Sequence, residues 1–522
     1  MKGNVQRLGR KRRLAASVML VAALAAFGAS CGGDDAVQEN LPPAESPTAA
    51  AQGSGATATP EQAPLAMLKT APEVLAIGET FTLTGEGLQA GREFQIQWAT
   101  VDGAYRVELE NNSQMFYERK FTPTRVDLGR VTTTADGKLE ASFQVPEDFG
   151  EFHDIYAVAD GQDVAKGGVR VPRTLKMTPS EGPVGTLISF EGQGLGYRPY
   201  ESTMAVRYDN RYVGFMSATT TGGTVKAQIR ASGGPGTHVI DIGAGSHALF
   251  YLNAHQSPVA YIPDFKFVFT ITEDAGAPPA RVDWPGEVIE KEDAARTTLG
   301  LAAPTIPDAE VTISPPSGPI LSEATLKATG LEASSEVEVL WITVSGSRVR
   351  GGWDVGGKPV AKSTVAADGT FNARFTVPDD LGGWHAVRLV QGEKVLAEAP
   401  YYIERSLLAV TPGRVKAGEE FTVQLKGVGW TELDNTVAIT YDNAYMGYAC
   451  GFNTGGDVTL ILTATGGPGT HLIDIYPTIY DGGHGMWPWQ YTVPQLSSLT
   501  DAPGLALGYR LPVIRVAIEV IE

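Results

Sequence analysis

The sequence predicts an all-β chain: four tandem β-sandwiches of about a hundred residues each, arranged as two duplicated pairs. Three observations predict it. The chain repeats itself internally, its apolar residues alternate with polar ones, and Gly-rich turn signals recur at short intervals. The repeat is the firmest of these. A step of 233 positions carries Tyr208, Asp209 and Asn210 onto Tyr441, Asp442 and Asn443. The same step carries Gly222-Gly223 onto Gly455-Gly456 and His238 onto His471, within SGGPGTHVIDI and TGGPGTHLIDI. Upstream, ADGKLEASFQVPEDFGEFH (135–153) matches ADGTFNARFTVPDDLGGWH (367–385) at a step of 232, and Trp98 matches Trp341 at 243. The steps differ because the first copy carries about eleven extra residues between Tyr105 and Arg130. The order is A-B-linker-A′-B′.

Each element follows from local pattern. In TVKAQIRA, Val225, Ala227 and Ile229 alternate with Lys226, Gln228 and Arg230, and in EFTVQLKG, Phe421, Val423 and Leu425 alternate with Thr422, Gln424 and Lys426. Period two with one polar side means half-buried antiparallel strands. Asp136-Gly137 and Asp368-Gly369 are expected as hairpin turns, since Asp-Gly accepts the positive φ such turns need. Asp209-Asn210 and Asp442-Asn443 read as further turns.

TPSEGPVGTLISFEGQGLG (178–196) resembles the opening of an IPT/TIG domain: Pro, Ser, Gly-Pro, Gly-Thr, an alternating strand, then Gly-x-Gly. SPPSGPILSEATLKATGL (314–331) keeps the Pro-Pro-Ser-Gly-Pro, and APEVLAIGETFTLTGEGL and TPGRVKAGEEFTVQLKGVG keep the Gly, the strand and the final turn. The resemblance implies four immunoglobulin-like sandwiches. It places A at 66–172, B at 173–271, A′ at 309–404 and B′ at 405–522. Members of that family bind or space and do not usually catalyse.

The amino terminus reads as an export signal. Six basic residues precede an apolar run from Leu14 to Phe27, too short to span a bilayer, and GASC with Cys31 resembles a lipoprotein lipobox. Residues 1–30 are thus a signal peptide, with Cys31 the lipidation site and the membrane reached through its acyl chains. Residues 31–65 are rich in Ala, Pro, Gly, Ser and Thr and read as a disordered stalk. Residues 272–308 read as a linker with a short helix in GEVIEKEDAA, so the halves 66–271 and 309–522 are expected to fold separately. With Cys31 lipidated, Cys450 has no disulfide partner and reads as a small buried residue.

Charge limits the partners. The chain has 41 basic and 59 acidic residues, and removal of the leader removes only basic ones. A nucleic-acid partner is excluded on that balance, since phosphate binding needs a basic face. No cofactor or metal is expected: HEXXH, G-x-S-x-G, P-loop and D-x-D-x-D-G patterns are absent, and GQGLGYRP lacks a surrounding strand-to-helix unit.

Every sandwich carries one histidine after a glycine corner: His153, His238, His385 and His471. Apolar residues follow two and four places on, which puts each ring on the inward face at the start of a late strand. In immunoglobulin-like sandwiches a tyrosine often holds that corner to the backbone, and a histidine ring can do the same. These four are read as structural corners, with no catalytic residue among them. The aromatic cluster GMWPWQY supplies the candidate ligand-binding residues Trp487, Trp489 and Tyr491, which could stack on a sugar. The sequence thus points to a non-enzymatic, lipid-anchored protein of the bacterial cell envelope, facing outside the cytoplasm, whose partner is a surface protein or a polysaccharide. A carbohydrate-binding module is the first alternative. A hydrolase or metal-dependent enzyme with a site between domains is the distant one.

Overall fold

The computed structural model describes residues 64–246, 249–253, 256, 264–286, 288, 293–301, 309–347, 352–480 and 492–522. The leader, Cys31 and the stalk through residue 63 lie outside these residues. Among the described residues the chain is all-β and immunoglobulin-like, and no helix is long and apolar enough to cross a membrane.

Sandwich B shows the common plan. A three-stranded sheet runs in the order Val225–Arg230, Leu187–Gln193, Thr174–Thr178. The opposite sheet runs Arg211–Ser217, Thr203–Tyr208, Gly236–Ser246, Phe265–Ile271, closed by Glu181–Gly182, which pairs in parallel with the last of these. The chain crosses from one sheet to the other beside a cis proline, and the other sandwiches do so at the equivalent Ala71-Pro72, Ser314-Pro315 and Thr411-Pro412. In sandwich A the first strand, Ala66–Ala71, spans both sheets: Ala66 and Met67 pair in parallel with Gln162–Val171, and from Leu68 onward the strand turns to Thr80–Gly85. Alternation becomes burial as expected. In Thr80–Gly85 the inward Phe81 and Leu83 are fully buried, and Phe94, Ile96, Trp98 and Ile155 complete that core.

The Asp-Asn pairs are turns, with φ of 48° and 64° at Asp209 and Asn210 and 47° and 61° at Asp442 and Asn443. The Asp-Gly pairs are turns but not hairpins. Asp136-Gly137 joins Ser113–Thr132 to Leu139–Gln144, which pair with different neighbours and not with each other. Gly137 sits at φ 76°, and a Cβ there would lie 2.4 Å from Leu88 O, so the glycine answers a contact between loops.

Two expectations are corrected. Residues 272–308 are not a free linker. Arg281–Asp283 joins the sheet of B′ antiparallel to Val513–Ile521, and Asp274 accepts from the Thr470 amide and hydroxyl, both at 2.7 Å. Of the segment expected to be helical, residues 287 and 289–292 lie outside the described residues; Ala294–Leu299 is a helix, with Ala294, Ala295, Thr298 and Leu299 buried. The halves are not separate either. The extra residues of the first copy lengthen two strands, Glu93–Glu110 and Ser113–Thr132, into a hairpin that leaves sandwich A and enters the second half. Phe116 is wholly buried there among Trp353, Trp384, Tyr402, Trp430 and Tyr509. Its amide donates to Glu432 Oε2 at 2.7 Å, and the Glu432 amide donates to Gln114 O at 2.9 Å. Asn112 Nδ2 donates to Trp353 O at 2.7 Å.

Sandwiches B and B′ are also in contact. Arg230 of B donates to Val516 O at 2.7 Å and pairs with Asp474, while Arg515 binds Asp283 at 2.7 Å and Asp474 at 3.0 Å. Asp501 is wholly buried and accepts from the Thr219 and Thr220 amides and from the hydroxyls of Ser217 and Tyr105, fixing residues 492–511 to the first half.

Replacing Phe116 by Ala empties the centre of this shared core. Phe116→Ala is expected to cost about 3–5 kcal/mol. Trp353, Trp384 and Trp430 line the cavity, so the loss should register as an early tryptophan-fluorescence transition in urea. A midpoint unchanged from wild type would show that the hairpin tip carries no coupling. A fragment 309–522 is expected to melt well below the intact chain, because that fragment exposes the face the hairpin covers.

Candidate functional site

The histidine corners are where repeated, chemically capable residues gather. In sandwiches B and B′ the ring is bracketed on both sides. His238 Nδ1 lies 2.6 Å from Asp209 Oδ2 and Nε2 lies 2.9 Å from Gly234 O. His471 repeats this with Asp442 Oδ2 at 2.6 Å and Gly467 O at 2.9 Å. The other carboxylate oxygen accepts the next amide, Val239 or Leu472, at 2.9 Å. The preceding tyrosine stacks on the ring, with centroids 5.4 Å apart for Tyr208 and 5.6 Å for Tyr441, and its hydroxyl donates to Ser232 O or Thr465 O.

This geometry explains the repeated GGPGTH. Gly233 and Gly466 hold φ of 104° and 99°, and a Cβ on either would lie 2.8 or 2.3 Å from the histidine Cε1. The first glycine admits the ring and the second offers it a carbonyl.

Sandwiches A and A′ build the corner differently. His153 reaches Ala99 O at 2.9 Å and Phe149 O at 2.8 Å; His385 reaches Ile342 O at 3.0 Å and Leu381 O at 2.8 Å. Trp98 and Trp341 stack on these rings at 4.4 and 4.6 Å. Each indole donates to a buried aspartate, Asp148 at 2.7 Å and Asp380 at 3.2 Å. Asp148 and Asp380 were missed at the sequence level, and Asp209 and Asp442 were read as turn residues, although each repeats at the same step as its histidine, Asp148 onto Asp380 and Asp209 onto Asp442.

The environments oppose one another electrostatically. The Asp442 hydrogen bond raises the His471 pKa, against partial burial, whereas complete burial lowers that of His385 despite Asp380 nearby.

The A corners also form the joints to the B sandwiches. A Cβ at Gly150 would lie 1.8 Å from Gly194 O, and one at Gly382 lies equally close to Gly427 O. The Gly150 amide donates to Leu195 O, and the Gly382 amide to Val428 O. Gly223 and Gly456, from the repeated Gly-Gly pairs, press on the same corners, 2.7 Å from Phe149 Cα and 2.8 Å from Asp380 O measured from an added Cβ. Behind each joint an arginine enters the interior. Arg173 Nη2 donates to Glu201 O and Arg405 Nη2 to Asp434 O, both at 2.8 Å. Burial raises the Glu201 carboxyl and pushes Asp434 up to about 7. The final glycine of each Gly-x-Gly, Gly196 or Gly429, leaves room for that acid, which would otherwise stand 2.7 or 2.1 Å from its Cβ.

Each histidine therefore has an acid beside or near it, and its two ring nitrogens already face acceptors of the corner itself. Among the described residues no group of three or more His, Cys, Asp and Glu side chains is placed to hold a metal ion. Trp487, Trp489 and Tyr491 lie outside the described residues. Among the described residues Tyr448 and Tyr480 lie 5.6 Å apart, Tyr448 half exposed, and the Tyr445 hydroxyl donates to Thr492 O at 2.9 Å. Cys450 is half-buried, 3.3 Å from the Thr436 hydroxyl.

No family model matches the chain, and no curated protein matches it. The solved structures similar to it are so at very low identity. A four-domain ectodomain fragment of ICAM-5 is 12% identical, with 87% of this chain and 99% of that one covered and a TM-score of 0.19. Invasin, a bacterial integrin-binding protein, is 11% identical, covering 86% and 100%, with a TM-score of 0.18. Salmonella alpha-2-macroglobulin is 11% identical over 86% of this chain, which spans only 30% of it, with a TM-score of 0.17.

Two measurements test the corners. His471→Ala is expected to cost roughly 1–3 kcal/mol through lost hydrogen bonds, and Gly466→Ala a similar roughly 1–3 kcal/mol through backbone strain. A binding or metal role would instead leave the melting temperature unmoved. The pH dependence separates His471 from His385. His471 has a folded pKa above its unfolded value near 6.5, so its contribution is full below that value and is lost as pH rises through the folded pKa. His385 has a folded pKa below 6.5, so its contribution is full above that value and is lost as pH falls toward the folded pKa. Between acid and mildly alkaline buffer the cost of His471→Ala should shrink and that of His385→Ala should grow; parallel changes would contradict the assignment.

Proposed function

We propose that this chain is a non-enzymatic, lipid-anchored bacterial surface protein that uses its immunoglobulin-like sandwiches for binding, adhesion or scaffolding. One observation carries the reading. The residues retained between the two halves are engaged at corners and domain joints, with the histidine nitrogens facing corner acceptors, so the repeats preserve a frame and leave recognition to the outer faces. The basic and apolar leader, Cys31 and the Ala/Pro-rich stalk support an anchored frame held away from the membrane. IPT/TIG character is the finer form of this proposal, and the opening at 178–196 supports it.

Carbohydrate binding is the second reading, favoured by the half-exposed Tyr448 near Tyr480 and by the aromatic residues Trp487, Trp489 and Tyr491 that follow Tyr480 in sequence. A glycan array would show saturable sugar binding lost in Trp487→Ala/Trp489→Ala.

Anchoring is tested by Cys31→Ser. The substitution is expected to move the protein from the membrane fraction to the soluble exported fraction, and the wild-type amino terminus should carry the mass of acyl chains. Unchanged membrane association with no lipid mass would overturn it.

A further inference from the structure

Sandwiches A and A′ turn the same outer face to different surroundings. At the step of 232, Phe152 corresponds to Trp384, Asp154 to Ala386, Lys166 to Glu398 and Arg170 to Tyr402, and the register of paired strands agrees, Phe152 opposite Arg170 as Trp384 is opposite Tyr402. In A′ this face is covered. Helix Ala294–Leu299 and the hairpin tip lie over Trp384, Ala386 and Tyr402, leaving Trp384 only 6% exposed, and Arg296 Nη1 meets Glu398 Oε1 at 2.7 Å. In A the face is open. Phe152 is 62% exposed and Met67 74%, and between them a groove of about 310 Å³ runs over Gly168, with Lys69, Glu73 and Arg170 at its rim.

The charge on the face is reversed where the covering helix would contact it. Glu398, which receives Arg296 in A′, is Lys166 in A. Lys166 meets Asp154 at 2.9 Å and Arg170 meets Glu151 at 3.1 Å, while Lys69 and Glu73 line the groove beside them. An incoming segment built like the helix but bearing a carboxylate at the Arg296 position suits this face; one bearing an arginine does not.

We infer that the groove between Met67 and Phe152 receives a short apolar segment of a partner protein that carries an acidic residue opposite Lys166. The inference names a partner chemistry for the binding reading above and rests on it.

The probe is a fluorescent peptide of residues 284–301 of this chain with Arg296→Glu, titrated with the full chain and read by anisotropy. It should bind saturably and about two- to fivefold more tightly than the unsubstituted peptide, the range an exposed ion pair supplies. Lys166→Glu should invert that order. Phe152→Ala should abolish binding of either peptide, with melting unchanged because the ring is exposed. Absence of saturation up to about 1 mM, or binding indifferent to both substitutions, overturns the inference. So does self-association, or sedimentation with phosphatidylglycerol vesicles, that Phe152→Ala removes, since the occupant would then be a second copy or a lipid surface. None of these outcomes alters where Cys31→Ser partitions, so the anchoring reading stands or falls separately.

Discussion

The approach of Gly150 to Gly194 O, and of Gly382 to Gly427 O, is the contact on which the rest of the molecule depends. An added Cβ would lie 1.8 Å from that oxygen in both copies, so neither glycine can be replaced without separating the sandwiches. The closeness lets the Gly150 and Gly382 amides bond across the joint, and it brings the Gly223 and Gly456 turns onto the Asp-histidine corners. A corner that holds its own sandwich together thereby also fixes the angle to the next. The histidine's value lies in two nitrogens on a rigid ring, which tie residues four apart in sequence to a carbonyl or carboxylate on a neighbouring strand or turn.

Duplication made two equal joints, but the halves meet through unequal surfaces. Sandwich B offers Arg230 to a face of B′ lined by Asp474 and Arg515; the position in B′ equivalent to Arg230 is Thr463, and the strand carrying it leaves Ile461 64% exposed. Likewise the hairpin tip of A packs into the core it shares with A′. A contact between different patches does not close on itself, so each end leaves a face without its counterpart. The open outer face of A, with Phe152 and Met67, is one such remainder.

Much of this was legible in sequence because it is local. Period two marked strands such as Val225–Arg230 and Glu420–Lys426, and the repeated Asp-Asn and Gly-Gly pairs marked turns that need positive φ. The histidine positions were legible because each follows a glycine and precedes alternating apolar residues. The illegible parts are those decided by distant chain. Arg281–Asp283 is three residues long, too short for any period, and becomes a strand only because Val513–Ile521 offers an edge. The hairpin tip reads as a polar loop, since Asn111, Asn112, Ser113 and Gln114 run in succession ahead of Phe116, yet Ser113 and Gln114 are buried by the other half. The aspartates beside the histidines had a signal, the shared repeat step, but Asp-Asn also makes an ordinary turn and that reading sufficed.

The buried charges show what kind of joining this is. Arg515 is held by Asp283 from the segment between the halves and by Asp474 from its own sandwich, and Asp474 also holds Arg230 from the other half. Such a cluster adds little net stability, because desolvating the ions offsets most of their attraction. Its effect is directional. Displacing B from B′ would leave the buried Asp474 and Arg515 without partners the assembled state supplies, and an uncompensated buried charge costs about 3–5 kcal/mol. Apolar contact around Phe116 supplies the attraction between halves, and the charged cluster admits only one way of making it. Holding the halves in a single arrangement needs both, since apolar burial alone would tolerate sliding.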